Sequence, residues 1–444
     1  MTISPSDSTR PSPTAGVPET ESPTTRSRAR KAALAGAVGT VIEFYDFSLY
    51  GLLAVVFAPL YFPAHDRAGS TLVALGALGT AYLARPVGGV FFGRLGDRYG
   101  RRPVLMATVT MMGVAAGATG LLPSYSTLGV AAPILLMVLR LVQGFSAGGE
   151  LAGATTYAVE SAPEGRRTFF GAIVSSGGSV GFVAAALAAG LIGLMLTPEQ
   201  FSAWGWRVPF LLCIPLAVVC LLLRARIDES PEFAELRTRA GVSRSPIREV
   251  LREYPGALAR VIGIQIAASA AGYVGLVYLS VYLIGTRNFP AEQVYWVSAV
   301  AISVEVVTLP YFGILAGRVG RRKVLLGATA AFLVLAYPFF MAFSATDSIV
   351  VVALIYCALM LVDSAQKAPL ITEYTLMFPV RYRYTGTALG YNIATALAGG
   401  FGPYIAAQLI ILTGSTLAPA YWLMATSALG VSVLLSMRPR EGKS

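Results

Sequence analysis

The chain has 444 residues, of which 55% are hydrophobic and 13% charged, with a formal net charge of +11. So few charges cannot cover the surface of a soluble protein of this length, which leaves a polytopic helical membrane protein as the class. The basic excess follows from its placement along the chain, given below, and needs no nucleic-acid partner.

Residues 1–31, rich in Ser, Thr and Pro at the start, are expected to form a disordered tail. Twelve apolar runs follow, each close to the length an α-helix needs to cross a bilayer while keeping its backbone hydrogen bonds internal. They lie near 33–62, 70–93, 103–122, 128–158, 168–196, 206–223, 257–285, 292–316, 323–343, 348–378, 385–412 and 417–437. The longest polar interior stretch, 224–256, splits six spans from six. The expected organisation is an N-terminal bundle over 32–223, a connecting loop over 224–256, a C-terminal bundle over 257–437 and a tail over 438–444.

An even number of spans puts both termini on one side, and charge decides which. On that side lie 28 of the 34 basic residues; Arg67, Arg207 and Arg287 fall opposite, and Arg85, Arg140 and Lys367 lie within spans. A bias this lopsided predicts cytoplasmic termini and a multi-pass protein of the inner (plasma) membrane. An internal repeat supports two related halves: GRLGDRYGRR at 93–102 and GILAGRVGRR at 313–322 share six of ten positions, each between the second and third spans of its half. Cys213, Cys220 and Cys357 all lie in apolar runs, His65 is the single histidine, and no metal-ligand, nucleotide-binding or nucleophile motif appears. Neither a cofactor, a metal nor an enzymatic activity is expected.

Several stretches carry a more specific likeness: IEFYDFSLYG at 42–51, ARPVGGVFFGRLGDRYGRR at 84–102, RLVQGFSAGGE at 140–150, WGWRVPF at 204–210, DESPEF at 228–233 and RYRYTGTALGYN at 381–392. The chain resembles, over nearly all of 32–437, the metabolite:proton symporters of the major facilitator superfamily, which include carriers for shikimate, 2-oxoglutarate, citrate and proline/betaine. The resemblance implies an all-α fold of twelve transmembrane helices in two pseudo-symmetric six-helix bundles, working as a monomer by alternating access. It also implies uptake of a small polar metabolite with protons as the function. The alternative is a proton-antiporting exporter of a drug or metabolite, which would share the fold and the charges.

Eight ionisable groups sit well inside spans: Glu43, Asp46, Arg85, Arg140, Glu150, Glu305, Asp363 and Lys367. At about 2.5 kcal/mol each, exposing all of them to lipid would cost on the order of 20 kcal/mol, so they must face a polar interior or one another. Glu43 and Asp46, three apart, share a face of the first span with Tyr50 one turn on, and Arg140 and Gln143 share a face of the fourth. By resemblance, Asp46 matches a proton-coupling carboxylate and Arg140 the arginine facing it. Burial disfavours a charged carboxylate and a nearby guanidinium favours it, so a change in their separation would switch proton affinity. The bland reading is a permanent salt bridge that fixes packing. Glu43 is either a second titrating group or a hydrogen-bonded packing residue.

Asp363 and Lys367 are four apart in the tenth span. Lys367 either holds a substrate carboxylate, with Arg140 across the cavity, or closes an intrahelical ion pair with Asp363. Glu305 has no cation in its own span and reads as a protonated, packed glutamate. Glu150 would serve a proton path or bond a neighbouring helix. Arg85 would bind an anion or, on the better-favoured reading, partner an acid or carbonyl. Tyr278 and Asn392 are candidate cavity-lining residues. The resemblance further assigns Asp97, Arg98 and Arg101 to a latch with Glu160 and Arg166 at the fourth span's end, a latch expected to be weak because exposed ion pairs are. In the second copy Gly317 stands where that aspartate would be and Leu376 where an acid is common, so the C-terminal half is expected to lack a full charged latch.

Overall fold

A computed structural model describes residues 23–62, 67–238 and 246–437; residues 1–22 of the tail expected at 1–31, His65 and the tail expected at 438–444 lie outside the described residues. Among the described residues the regular structure is entirely helical. The spanning helices are α1 (Pro23–Tyr61), α2 (Arg67–Tyr99), α3 (Arg101–Leu121), α4 (Ala131–Glu160), α5 (Arg167–Met195) and α6 (Pro198–Ala225), then α7 (Pro255–Gly285), α8 (Ala291–Val319), α9 (Arg321–Ala345), α10 (Ile349–Leu376), α11 (Val380–Thr413) and α12 (Ala418–Ser436). Together they form the twelve-helix arrangement; among the described residues eleven of them, all but α2, are long and apolar enough by themselves to cross a membrane. Two short helices, Pro231–Thr238 and Pro246–Glu253, occupy the connection.

Two boundaries differ from the hydropathy reading. α1 begins at Pro23, inside the stretch expected as tail, because Ala29, Ala32 and Ala33 pack into the cluster that contains Ile227 and Val250 of the connection. Tertiary burial, with proline suited to a first helical turn, extends the helix past the apolar run. α6 begins at Pro198 and passes through a wide turn at Phe201–Gly205 before the expected start. Wide turns of the same kind interrupt α7 at Val274–Tyr278 and α11 at Thr395–Gly400, while α8 runs through Pro310 without ending.

The repeat is visible as geometry. Gly100 (φ 115°) and Gly320 (φ 110°) each join two helices through one residue in a region that side chains disfavour. After each glycine, an arginine caps the last helix of its own half. Arg102 donates to the carbonyls of Arg224 and Ala225 at 3.2 and 2.8 Å, and Arg322 donates twice to that of Leu434 at 3.0 and 2.6 Å. The end of the protein that holds both motifs and the connection is called the basic end below.

Small residues let the helices that carry charge approach closely. A side chain at Gly88 of α2 would strike the Phe145 carbonyl, and one at Gly144 of α4 the Ala81 carbonyl. This contact brings Arg85 and Arg140 into the interior of the N-terminal bundle. Gly177 and Gly181 likewise bring α5 against α1 at Ala37 and Val41.

Candidate functional site

Asp46 and Arg140 meet in the N-terminal bundle, both under 5% exposed. Arg140 Nη2 lies 3.3 Å from Asp46 Oδ1 and Nη1 lies 3.5 Å from Oδ2, a fork-on-carboxylate arrangement longer than a tight bidentate pair. Gln143 Nε2 donates to Asp46 Oδ1 at 2.8 Å, and Arg140 also reaches Thr119 Oγ1 of α3 at 3.3 Å. The guanidinium sits 4.4 Å from the centre of the Tyr50 ring and 6.0 Å from that of Phe210. Three groups here have no hydrogen-bond partner, Arg140 Nε, Gln143 Oε1 and the Tyr50 hydroxyl, beside an acid whose bonds to Arg140 are long. The structure therefore brings Asp46, Tyr50, Arg140 and Gln143 together at one place and adds Thr119, which no sequence signal marked.

Glu43 pairs with a different helix from Asp46, α2 instead of α4. Arg85 Nη2 donates to its Oε1 at 2.5 Å, and Arg85 Nε lies 3.4 Å from Asn392 Oδ1 of α11. Asn392 in turn donates to the Gly148 carbonyl at 2.6 Å, so Arg85 and Asn392 bind the two bundles together. Arg85 has an acid for partner, as the sequence favoured. Glu150 is tied to helices on both sides: Thr108 donates to it at 2.6 Å from α3 and Arg224 pairs with it from α6. Removing one member of such a buried pair strands the other. Glu150→Gln is expected to cost about 3–5 kcal/mol of stability, read as a lowered Tm of the purified protein, and an unchanged Tm would refute the structural role.

In the C-terminal bundle Lys367 has two acids. Its Nζ lies 2.6 Å from Asp363 Oδ2 and 2.9 Å from Glu305 Oε1, and Ser179 of α5 donates to the same Glu305 oxygen at 2.9 Å. Glu305, which has no cation in its own span, meets one from α10, 62 residues away. Lys367 is thus compensated twice over and has no unmatched charge with which to hold a substrate carboxylate. Tyr278 is buried in the core of the C-terminal bundle, its ring 6.3 Å from that of Tyr282. Tyr273 of α7, by contrast, meets Tyr82 of α2 across the bundle interface at 5.8 Å.

A chain of twelve helices, built from two halves that repeat the same helix–Gly–Arg–Arg junction, can be compared directly with known proteins. The sequence profile described as Major Facilitator Superfamily matches residues 36–403. The chain belongs to the major facilitator superfamily. Within the superfamily it is 38% identical over 422 residues to the shikimate transporter of Escherichia coli K12, covering 94% of this chain and 96% of that one. It is 34% identical over 423 residues to the proline/betaine transporter of the same organism, covering 92% and 83%. Among solved structures, the proton:xylose symporter XylE bound to 6-bromo-6-deoxy-D-glucose superposes with a TM-score of 0.75 at 14% identity, covering 93% of this chain and 95% of that one, which establishes the shared fold. The protein is accordingly a membrane transporter and not an enzyme.

The residues of the 93–102 loop motif form a buried cluster of hydrogen bonds and ion pairs at the basic end. Asp97 accepts the backbone N–H groups of Tyr384 and Thr385 at 3.2 and 2.8 Å, capping the start of α11 in the opposite bundle. Arg101 uses its whole fork: Glu160 at 3.1 and 3.0 Å, the carbonyls of Gly96 and Val380 at 2.8 and 2.9 Å, and Asp97 at 3.2 Å. Glu160 also receives Ser230 at 2.6 Å and Arg383 at 3.4 Å. Glu232 joins Arg383 to Arg167, the latter at 2.5 Å. The expectation that these ion pairs are exposed is corrected, because Asp97, Arg101 and Glu160 are buried, packed with residues of the connection and the start of α11.

Arg98 is exposed, its guanidinium 5.2 Å from the Tyr99 ring, and Arg166 is exposed beside a cavity of about 340 Å³ that Arg318 also lines. Arg383 is a second cation on Glu160, one that the sequence did not mark. In the second half Arg321 bonds Glu373 at 2.9 Å, reproducing the Arg101–Glu160 element. What that half lacks is the counterpart of Asp97: a side chain at Gly317 would stand against the Gly165 carbonyl near the start of α5. The DESPEF stretch supplies three partners that sequence reasoning left without a role. Glu229 accepts the N–H groups of Arg101 and Arg102 at 3.0 and 3.2 Å, while Ser230 and Glu232 hold Glu160, Arg167 and Arg383.

Proposed function

We propose that the protein is a proton-coupled symporter that takes up a small polar metabolite, an organic acid or a zwitterion of the proline/betaine kind, through the inner membrane with both termini cytoplasmic. It acts as a monomer by alternating access, with the proton carried at the Asp46–Arg140 pair. The observation that carries this reading is that pair itself: an acid and a guanidinium at the interior of the first bundle, held by long bonds, with Arg140 Nε, Gln143 Oε1 and the Tyr50 hydroxyl left to meet a ligand. Buried donors and acceptors without partners are costly, and a solute offering a carboxylate and hydroxyls would satisfy them. The names of the relatives support transport of solutes in that range.

The hydrogen bonds and ion pairs between bundles among the described residues run from mid-depth, at Arg85–Asn392 and Ser179–Glu305, to the basic end. Such a state is sealed on the cytoplasmic side in the proposed orientation. Proton binding at Asp46 would release Arg140, and rocking of the bundles would then follow ligand and proton occupancy. The experiment is uptake of radiolabelled shikimate and of glycine betaine into proteoliposomes under an imposed pH difference. An inside-alkaline gradient is expected to drive accumulation above the external concentration for one of them. Expulsion of preloaded solute under the same gradient would instead identify the antiporting exporter.

A further inference from the structure

Three of the acids buried inside the spans have an arginine each: Glu43 has Arg85, Asp46 has Arg140 and Glu150 has Arg224. The fourth group breaks the pattern. Glu305 and Asp363, both wholly buried, share Lys367, so with every group ionised the interior holds five acids against four bases. The surplus negative charge is located, not spread: Oε2 of Glu305 and Oδ1 of Asp363 have no hydrogen-bond partner, and Asp363 Oδ2 approaches Nζ without hydrogen-bond geometry. An uncompensated buried carboxylate is strongly destabilising, so this cluster must take up one more positive charge.

We propose that Glu305 and Asp363 form a second proton-binding site, holding one proton between them while Lys367 stays charged. The site is closed to anything larger. Asp363 and Glu305 lie at zero exposure beneath Lys367, which has the exposed part of the cluster, and Gly272 of α7 leaves the lysine its space, since a methyl group there would crowd Cε at 3.2 Å. Around the acids, α5 contributes the Ser179 hydroxyl, and α10 contributes Tyr356, whose hydroxyl is committed to the Gly275 carbonyl of α7. Thr308 and Ser364 are bonded to each other at 2.9 Å. Among the described residues no charged group of α5, α7 or α9 pairs with either acid.

The proton adds to a carboxylate oxygen to give a neutral carboxyl and leaves by the same bond, so no other reactant is needed. Occupancy alters a contact between the bundles. Ser179 belongs to the N-terminal half and Glu305 to the C-terminal half, and a hydroxyl donates to a carboxylate about twice as strongly as to a neutral carboxyl. Loading the site therefore loosens α5 from α8, and emptying it tightens them.

The inference extends the proton-coupled reading, and its test does not depend on Asp46 or on the solute. Infrared difference spectra of the purified protein in detergent, without substrate, are recorded between alkaline and acid pH, following the carbonyl stretch of protonated carboxyl groups. Wild type and Asp46→Asn are expected to show a component that both Glu305→Gln and Asp363→Asn lack, because either substitution leaves Lys367 with one acid. The same two variants should each bind one proton fewer per molecule when a pH indicator counts uptake. A component that survives either substitution, or that is missing from wild type, overturns the proposal. If Asp46 alone is misassigned, Asp46→Asn retains gradient-driven uptake and this component is unaffected.

Discussion

Asp46→Asn is expected to abolish accumulation driven by a pH difference, so that internal solute in proteoliposomes reaches only the external concentration, while exchange of internal for external solute continues. The amide keeps an oxygen for the Gln143 and Arg140 donors, which lie 2.8 and 3.3 Å from Asp46 Oδ1, but it cannot gain or lose the proton. It also leaves Arg140 buried without a counter-ion, at a cost of about 3–5 kcal/mol. Loss of uptake could then reflect misfolding alone. Pairing the change with Arg140→Gln removes both charges and is expected to recover most of the Tm without recovering accumulation. Should gradient-driven accumulation persist in Asp46→Asn, the coupling role passes from this residue, and Glu305 and Asp363 become the acids to test.

The spans were legible because lipid imposes one rule on the backbone, and a run of apolar residues reports it directly. The repeat was legible for a similar reason: Gly100 and Gly320 need the same backbone conformation, so the same residue recurs. Pairing was legible only where both partners lie on one helix face, as with Asp363 and Lys367, or where the resemblance supplied the partner, as with Asp46 and Arg140. Nothing along the chain tells which distant helix lies beside a charge. Arg224 falls at the edge of the polar connection by sequence and is buried against Glu150 in the structure, because α6 extends through Ala225. Glu305 looked unpaired for want of a cation in its own span, and DESPEF had no visible function because each of its partners belongs to another element. Exposure was misjudged at the latch because the covering residues are themselves brought there by the fold.

Asp97→Asn is expected to shift the protein toward the state open at the basic end. The carboxylate holds two N–H groups at the start of α11 and lies 3.2 Å from Arg101, all within a buried cluster, so the amide loses one acceptor, the attraction to the helix terminus and the ion pair. A combined loss of about 3 kcal/mol changes the ratio of closed to open forms by roughly two orders of magnitude. The measurement is alkylation of a cysteine introduced at Ala388, which packs with Phe92 and Tyr384 inside the closed interface, in a background free of Cys213, Cys220 and Cys357. Alkylation should rise in the variant while the solute's affinity changes little. Because Gly317 supplies no equivalent acid, replacing Arg321 should release far less of the interface than replacing Arg101. The two halves then contribute unequally to closure, and equal alkylation in Arg101→Gln and Arg321→Gln would show that the latch is symmetric after all.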